Sequence, residues 1–121
     1  MKMHLVKNVP AIKSSELEDW GPVGFPEGEP VSHLSGRTLE DTDDGKLDVG
    51  LWECTPGRWV RQVKYAEMCH FHSGRCKFIH DNGEVLEIEA GDTVFFPMNS
   101  TGIWDVEETV RKSYMIVNLD G

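Results

Sequence analysis

From Gly36 onward, the sequence consists of short runs rich in Val, Ile, Phe, Thr and Trp, separated by turn residues every eight to twelve positions. This spacing is typical of an all-β sandwich or barrel, and no long stretch with helical periodicity competes with it. The sequence therefore predicts an all-β fold, with strands near residues 37–41, 47–54, 58–64, 66–72, 75–80, 84–89, 92–96, 101–107 and 110–118.

The first 35 residues differ from the rest. Four of the six prolines lie there, with glycines between them. We predict an irregular N-terminal arm over residues 1–35, packed on the body or on a neighbouring molecule, and one barrel domain over 36–121, since 121 residues suit a single domain. Within the arm, Ser14 and Ser15 can cap a helical turn over 16–20, which Gly21 would end.

Charge and composition exclude several classes of partner. The 21 acidic residues outnumber the 12 Lys and Arg, the net charge is -9, and the longest basic cluster is Arg111-Lys112, so we expect no nucleic-acid or membrane partner. The first fifteen residues hold no apolar run longer than two, and the three cysteines lack C-x-x-C spacing. We therefore expect a cytoplasmic protein with reduced thiols.

Several short segments of the sequence stand in an order and at spacings that can be compared with known motifs. Glu67 is followed after six residues by Gly74, and Gly91 after five by Pro97; around them lie GLWECTPGRW (50–59), AGDTVFFP (90–97) and VRKSY (110–114). In order and spacing, residues 36–118 resemble the small single-domain cupins related to ureidoglycine aminohydrolase and to the cupin of ethanolamine utilisation. The resemblance implies a cupin-type double-stranded β-helix, which is a jelly-roll β-barrel.

The ligands of the cupin metal site are mostly missing. The family pattern uses three histidines and one glutamate. Depending on the register, the H-x-H positions are Arg61 and Val63, Val60 and Gln62, or Val63 and Tyr65, and Gly102 stands at the third histidine, so only Glu67 remains. His70 and His72 alternate with Glu67 along the predicted strand and would face outward if Glu67 faces inward. We therefore predict no metal and no cofactor.

Glu67 is the first candidate catalytic residue. The resemblance places it inside the barrel, where desolvation would raise its pKa and make it a general acid or base near neutral pH. A nearby cation would have the opposite effect. Lys112 is the candidate, because strand alternation places it on one face with Tyr114 and Ile116.

His80 is the second candidate catalytic residue. A two-residue turn at Ser73-Gly74 would pair residue 72 with 75 and Glu67 with His80, forming an acid/base dyad. The alternatives are a hydrogen bond at the barrel rim, or a different turn that separates the two side chains.

These residues leave three functions open, and in the first of them the ligand class is what the family resemblance implies. The first is metal-independent binding, or conversion with Glu67 as base, of an amide, a ureido compound or a short carboxylic acid held by Glu67, Tyr65, Trp104, Lys112 and Tyr114. The second is a non-catalytic homodimeric module whose cavity is filled by aromatic side chains. The third is a metalloenzyme using Glu67, Gln62, Cys69 and His80. The arm, and analogy with small cupins that pair through sheet edges, predict a homodimer.

Overall fold

The computed structural model describes residues 1–119. Over this range the chain forms eight strands and two short 3₁₀ turns, Val9–Ala11 and Ser14–Glu16. The strands are β1 (Glu18–Pro22), β2 (His33–Asp41), β3 (Leu47–Cys54), β4 (Gly57–Val63), β5 (Ala66–His80), β6 (Val85–Glu89), β7 (Thr93–Phe96) and β8 (Ser100–Val117). The prediction of an all-β fold is confirmed.

All strand pairs are antiparallel, and two long strands belong to both layers of the barrel. The second half of β8 pairs with β3 and with the first half of β5, while the first half of β8 pairs with β4 and with the second half of β5. Strands β1 and β2 extend the first layer beyond β3, β7 borders it on β5, and β6 borders the second layer. Two layers joined in this way form the predicted jelly roll.

Aromatic side chains fill much of the space between the layers. Trp104 of β8 is 0% exposed. Its ring centroid lies 5.0 Å from that of Phe78 and 5.7 Å from those of Trp52 and Phe96. Large aromatic rings bury much apolar area each, so this cluster is the centre of the hydrophobic core.

The predicted turn at Ser73-Gly74 is wrong. Strand β5 continues from Ala66 to His80, and its pairing with β8 shifts register around residues 73–75, so the segment is a bulge within one strand. Gly74 has φ +85°, and a Cβ atom there would lie 2.0 Å from the carbonyl oxygen of Thr109. The bulge therefore needs glycine. The two predicted strands 101–107 and 110–118 are likewise one strand, β8.

The arm contains a strand where a helical turn was predicted. Residues 14–16 form only a 3₁₀ turn, and Glu18–Pro22 pairs with the beginning of β2. Trp20 lies directly over Gly36, where a Cβ atom would come within 2.1 Å of the indole ring. The pairing and this contact outweigh the local capping signal, and β2 already begins at His33.

Arg111 holds the preceding segment of the arm. Its guanidinium, 4% exposed, donates hydrogen bonds to the carbonyl oxygens of Val9 and Ile12 and forms a salt bridge with Glu53. The arm is thus hydrogen-bonded to the outer side of the barrel. Within residues 1–119 there is no helix long and apolar enough to cross a membrane.

Candidate functional site

Glu67 lies on the inner side of the first half of β5. It is paired with Phe96 of β7 and with Ile116 of β8. Its side chain is 1% exposed, while that of the next residue, Met68, is 51% exposed. The predicted alternation is confirmed, and it places the carboxylate among the core side chains.

Lys112 of β8 reaches the same point from the neighbouring strand. Its Nζ donates a hydrogen bond of 2.6 Å to Oε2 of Glu67, and both side chains are almost fully buried. The ammonium also lies 4.4 Å from the ring centroid of Trp52 and 5.3 Å from that of Trp104. Aromatic faces attract a cation, so these rings and the carboxylate together hold the buried charge.

Arg61 of β4 supplies a second positive charge. Its Nη2 lies 3.8 Å from Oε1 of Glu67. Burial raises the pKa of Glu67, but the charges of Lys112 and Arg61 and the hydrogen bonds from Lys112 and Cys69 together outweigh burial, so the pKa is lowered overall. Of the two opposing effects expected from the sequence, the nearby cation prevails over desolvation, and Glu67 is an ionised carboxylate at neutral pH.

One oxygen of Glu67 lacks a well-formed hydrogen bond. Oε1 is buried, and within residues 1–119 no donor reaches it in normal geometry, although the Cys69 thiol is close enough to lower the pKa of the carboxylate. Glu67 lines a cavity of about 270 Å³. The cavity is lined by Trp20, Leu34, Thr38, Asp41, Asp48, Trp52, Arg61, Glu67, Lys112, Tyr114 and Ile116. A buried carboxylate oxygen without a well-placed donor is uncommon in folded proteins, and here it belongs to a residue of the cavity wall.

Two aspartates line another part of the cavity. Asp41 of β2 and Asp48 of β3 are directly opposite each other in the sheet. Like charges at such positions are unfavourable. Burial raises the pKa of Asp48, a hydrogen bond from the Tyr114 hydroxyl at 3.0 Å opposes this, and Asp41 raises it further. This part of the cavity is therefore acidic, whereas the Glu67 end carries two cations.

Of the four predicted ligand-binding residues, two line the cavity and two do not. Lys112 and Tyr114 lie on the cavity wall. Trp104 does not line the cavity, because it is wholly enclosed in the aromatic core. Tyr65 also lies outside the cavity lining; it is half-buried, and the Lys64 ammonium lies 5.4 Å from its ring centroid.

The predicted dyad of Glu67 and His80 is not formed. Because β5 continues through the bulge, the two residues lie at opposite ends of one strand, and His80 pairs with Gly102. There it accepts a hydrogen bond of 3.3 Å from the backbone N–H of Asn82. For the same reason the set of Glu67, Cys69 and His80 does not converge on one point.

His70 and His72 lie on the outer side of β5, as predicted. Their ring centroids are 4.9 Å apart. His70 is hydrogen-bonded to Thr93 and His72 to Ser113. Burial lowers the pKa of His72, which keeps it neutral at neutral pH. The pair is part of the outer surface and has no contact with Glu67.

Comparisons with known proteins agree with this architecture. A family model for the EutQ-like cupin domain matches residues 42–114. The chain belongs to this family. A comparison with curated proteins finds no match. The prediction of a small cupin related to the ethanolamine-utilisation group is confirmed.

Three solved structures are similar to this cupin. A protein of unknown function from Pseudomonas syringae pv. tomato, of the DUF861 family, is 26% identical with a TM-score of 0.73; the match covers 84% of this chain and 44% of that one. The EutQ protein of Clostridium difficile is 22% identical with a TM-score of 0.70, covering 94% and 86%. A DUF861 protein of Thermotoga maritima is 31% identical with a TM-score of 0.52, covering 53% and 73%. The chain thus spans less than half of the Pseudomonas protein.

The residues of this cupin do not fit a metal ion at Glu67. A guanidinium replaces one histidine of the cupin pattern at Arg61, and Gly102 carries no ligand atom. An ammonium already binds the carboxylate, so a metal ion there would meet two positive charges at short range. In the part of the chain that the structure describes, no three His, Cys, Asp or Glu side chains are placed to share an ion.

Most of the cavity wall was not predicted from the sequence, and Arg61, Asp48 and Trp20 show why. Arg61 was noticed only as a mismatch in a histidine position, although a charged residue at an inward position is itself a signal. Asp48 lies on β3, where polar and apolar residues do not alternate regularly, and Trp20 belongs to the arm. Neither residue carries a local signal for the cavity, since both reach it through pairing with distant strands.

Proposed function

We propose that this cupin binds a small polar metabolite in the cavity beside Glu67, without a metal ion. The observation that carries the proposal is the buried Oε1 of Glu67, an acceptor without a well-placed donor in a residue that lines a cavity. An unsatisfied buried acceptor costs about 1–3 kcal/mol, and a ligand N–H group would remove that cost. Amides and ureido compounds carry such N–H groups next to a carbonyl oxygen.

Arg61 supports a second feature of the ligand. Its guanidinium lines the cavity, and at 3.8 Å from Glu67 it is too far for a normal hydrogen bond. Guanidinium groups bind carboxylates and carbonyl oxygens through paired N–H donors. A molecule with an N–H donor at one point and a carboxylate or carbonyl oxygen at another would contact both Glu67 and Arg61.

The cavity walls limit the size and shape of the ligand. A volume of about 270 Å³ is just below the usual range of ligand pockets, which favours a small metabolite over a larger molecule. Trp20 and Trp52 lie on the wall, and their flat faces suit a planar amide or ureido group. Ureidoacetate combines these features and is the probe of choice.

The geometry supports binding more strongly than acid/base catalysis. The lowered pKa of Glu67 makes it a weak proton acceptor, because Lys112 stabilises the ionised form. The histidine that was expected to assist it is at the far end of β5. A reaction at this site would need a proton acceptor other than this pair.

The test is a titration of ¹⁵N-labelled protein with ureidoacetate, acetamide and acetate, followed by NMR. We expect the indole resonances of Trp20 and Trp52 to shift, with ureidoacetate binding more tightly than either of its two halves. Arg61→Met should weaken ureidoacetate binding by about tenfold or more, as a charged hydrogen bond predicts. Arg58→Met is the matched control, since Arg58 lies on the same strand but outside the cavity lining.

Two results would contradict the proposal. One is the absence of shifts at the cavity with all three probes. The other is equal weakening by Arg61→Met and Arg58→Met, because binding would then depend on general positive charge. Tight binding of acetate, with no binding of the other two probes, would support a binding site in the cavity but restrict its ligands to short carboxylic acids.

The second candidate function is a non-catalytic module without a ligand. Its support is the aromatic core, in which Trp104 is fully enclosed and fills space deep in the barrel. Against it stands the cavity at the Glu67 end, which Trp104 does not close. Failure of all three probes in the titration would favour this second function.

A further inference from the structure

Four residues of the cavity wall lie in one row across the sheet. Ile116 of β8 is paired with Glu67 of β5 on one side and with Asp48 of β3 on the other. Asp48 is in turn paired with Asp41 of β2, and all four side chains line the cavity. Adjacent strands are about 4.8 Å apart, so the backbone of Asp48 lies about 10 Å from that of Glu67. One small molecule in the cavity can therefore reach both carboxylates.

The row leads from the interior of the barrel to the mouth of the cavity. Glu67 is 1% exposed, Asp48 is half-buried and Asp41 is exposed. We call Asp41 and Asp48 the acidic end of the cavity. A charged group bound at the acidic end keeps part of its hydration, so its desolvation costs less than it would beside Glu67.

The acidic end has no cation of its own. Lys112 and Arg61, the two cations of the cavity wall, both lie against Glu67. Within residues 1–119, neither Asp41 nor Asp48 forms a salt bridge. The two carboxylates nevertheless lie directly opposite each other on adjacent strands, where like charges are unfavourable. A bound cation would remove this repulsion.

Tyr114 fixes the position of Asp48. Its hydroxyl donates a hydrogen bond of 3.0 Å to Oδ1 of Asp48, and its own side chain is 8% exposed. Oδ2 of Asp48 receives no hydrogen bond from residues 1–119. Burial raises the pKa of Asp48, the Tyr114 hydroxyl opposes this, and the charges of Asp41 and Glu67 raise the pKa further. A positive group at Oδ2 would stabilise the ionised carboxylate.

We propose that the acidic end binds a protonated amine, carried by the same ligand whose amide or ureido group lies beside Glu67. The inference rests on the proposed function, because that group fixes the orientation of the ligand. An ammonium has three N–H donors, which the carboxylates of Asp41 and Asp48 and a water molecule at the mouth can accept. The ligand class is therefore an amino-substituted amide or urea.

A metal ion suits the acidic end less well than an ammonium does. Calcium takes six to eight oxygen ligands. Among the residues that the structure describes, no three Asp, Glu, His or Cys side chains are placed to share an ion. An ammonium needs only two or three acceptors, which the two aspartates and water supply.

The experiment compares three ureas that carry the same ureido group on a chain of three carbons and differ in the group at its end. (3-Aminopropyl)urea ends in an ammonium, butylurea in a methyl group of similar size, and 4-ureidobutyrate in a carboxylate. Each is titrated into ¹⁵N-labelled protein, and dissociation constants are taken from the indole resonances of Trp20 and Trp52. We expect (3-aminopropyl)urea to bind about tenfold or more tightly than butylurea, as a charged hydrogen bond predicts, and 4-ureidobutyrate to bind most weakly.

Two variants locate the preference for the ammonium. Asp48→Asn keeps an oxygen for the Tyr114 hydroxyl and removes the charge, so the ratio of the two dissociation constants should fall to about twofold or less. Asp43→Asn is the matched control, because it removes the same charge from the exposed turn between β2 and β3, outside the cavity lining. Its ratio should equal that of the wild type. Thermal unfolding of both variants checks that they are folded.

The results separate this inference from the proposed function. Equal binding of (3-aminopropyl)urea and butylurea would overturn the inference and leave the proposed function standing, because the ureido group would still bind. Tightest binding of 4-ureidobutyrate, or an equal fall of the ratio in both variants, would also overturn it. Absence of binding by all three ureas would contradict the proposed function, and the inference would fall with it.

Discussion

Two neighbouring cations of β8 each bind a buried glutamate, on opposite sides of the same strand. Arg111 turns toward the N-terminal arm and holds Glu53, with Nη2 and Nε at 2.7 and 3.2 Å from one carboxylate oxygen. Lys112 turns into the barrel and holds Glu67 through a single bond of 2.6 Å. The two pairs have similar burial and different surroundings.

The two ion pairs differ in how many of their polar atoms have hydrogen-bond partners. The Arg111 guanidinium also donates to the backbone oxygens of Val9 and Ile12, and the Ser14 hydroxyl donates to Glu53. Around Lys112 the neighbours are aromatic rings, and Glu67 lines a cavity. The Arg111 pair therefore holds the arm, whereas the Lys112 pair leaves one carboxylate oxygen of Glu67 without a well-placed hydrogen-bond donor.

The largest effect is expected for Lys112→Met. It leaves the Glu67 carboxylate buried without its hydrogen-bonded cation, and breaking a buried pair costs about 3–5 kcal/mol. Urea unfolding should measure this loss of stability. The double variant Lys112→Met, Glu67→Gln carries no buried charge at these two positions and should regain most of it. A single variant as stable as the wild type would show that the pair contributes nothing to the fold.

Arg111→Met should lower the free energy of unfolding by less than Lys112→Met does. It should also loosen the N-terminal arm locally. The arm can detach and expose Glu53 to water, so we expect a loss of about 1–3 kcal/mol, from the hydrogen bonds alone. Hydrogen exchange should become faster in residues 8–17 and stay unchanged in β5. Arg75→Met, which breaks an exposed pair with Glu107, is the control and should change neither. Faster exchange throughout the barrel would contradict this division of roles.

The stability of the barrel should fall at acid pH through Glu67. Its pKa is lowered in the folded state from 4.5, so below that value the unfolded chain takes up the proton first and the folded state loses its advantage. One such group changes the free energy of unfolding by at most about 1.4 kcal/mol per pH unit. In the Glu67→Gln variant, the free energy of unfolding should depend less on pH below 4.5 than in the wild type. A curve of unchanged slope would mean that Glu67 is not the titrating group.

The smallest effect is expected for Asp48→Asn. The substitution removes like-charge repulsion with Asp41 across two strands and keeps an oxygen that accepts the Tyr114 hydroxyl. Cross-strand pairs of this kind change stability by about 0.2–1 kcal/mol, so the variant should be slightly more stable at neutral pH. A clear loss of stability in thermal unfolding would indicate that the carboxylate has a favourable partner.

The barrel was predictable from the sequence because its signals are local. Alternation along the strand correctly placed Glu67 and Met68 on opposite faces, and it placed Lys112 and Tyr114 on one face of β8. This needs only the period of two residues that any strand has. The family resemblance then supplied which face points into the barrel.

The errors came from features that depend on distant contacts. A bulge and a tight turn can carry the same Ser-Gly pair, and only the pairing of β5 with β8 selects the bulge. The position of His80 followed from that mistake. Trp20 joins the cavity because β1 pairs with β2, which no pattern within residues 14–22 indicates.

We expect the Lys112 ammonium to take the place of a metal ion at Glu67. Elemental analysis of protein that is incubated with manganese, iron, nickel and zinc and then dialysed tests this expectation. The double variant His70→Ala, His72→Ala serves in parallel to remove binding by the outer histidines. We expect no metal retained by that variant. About one ion per chain, lost on Glu67→Ala, would contradict this expectation.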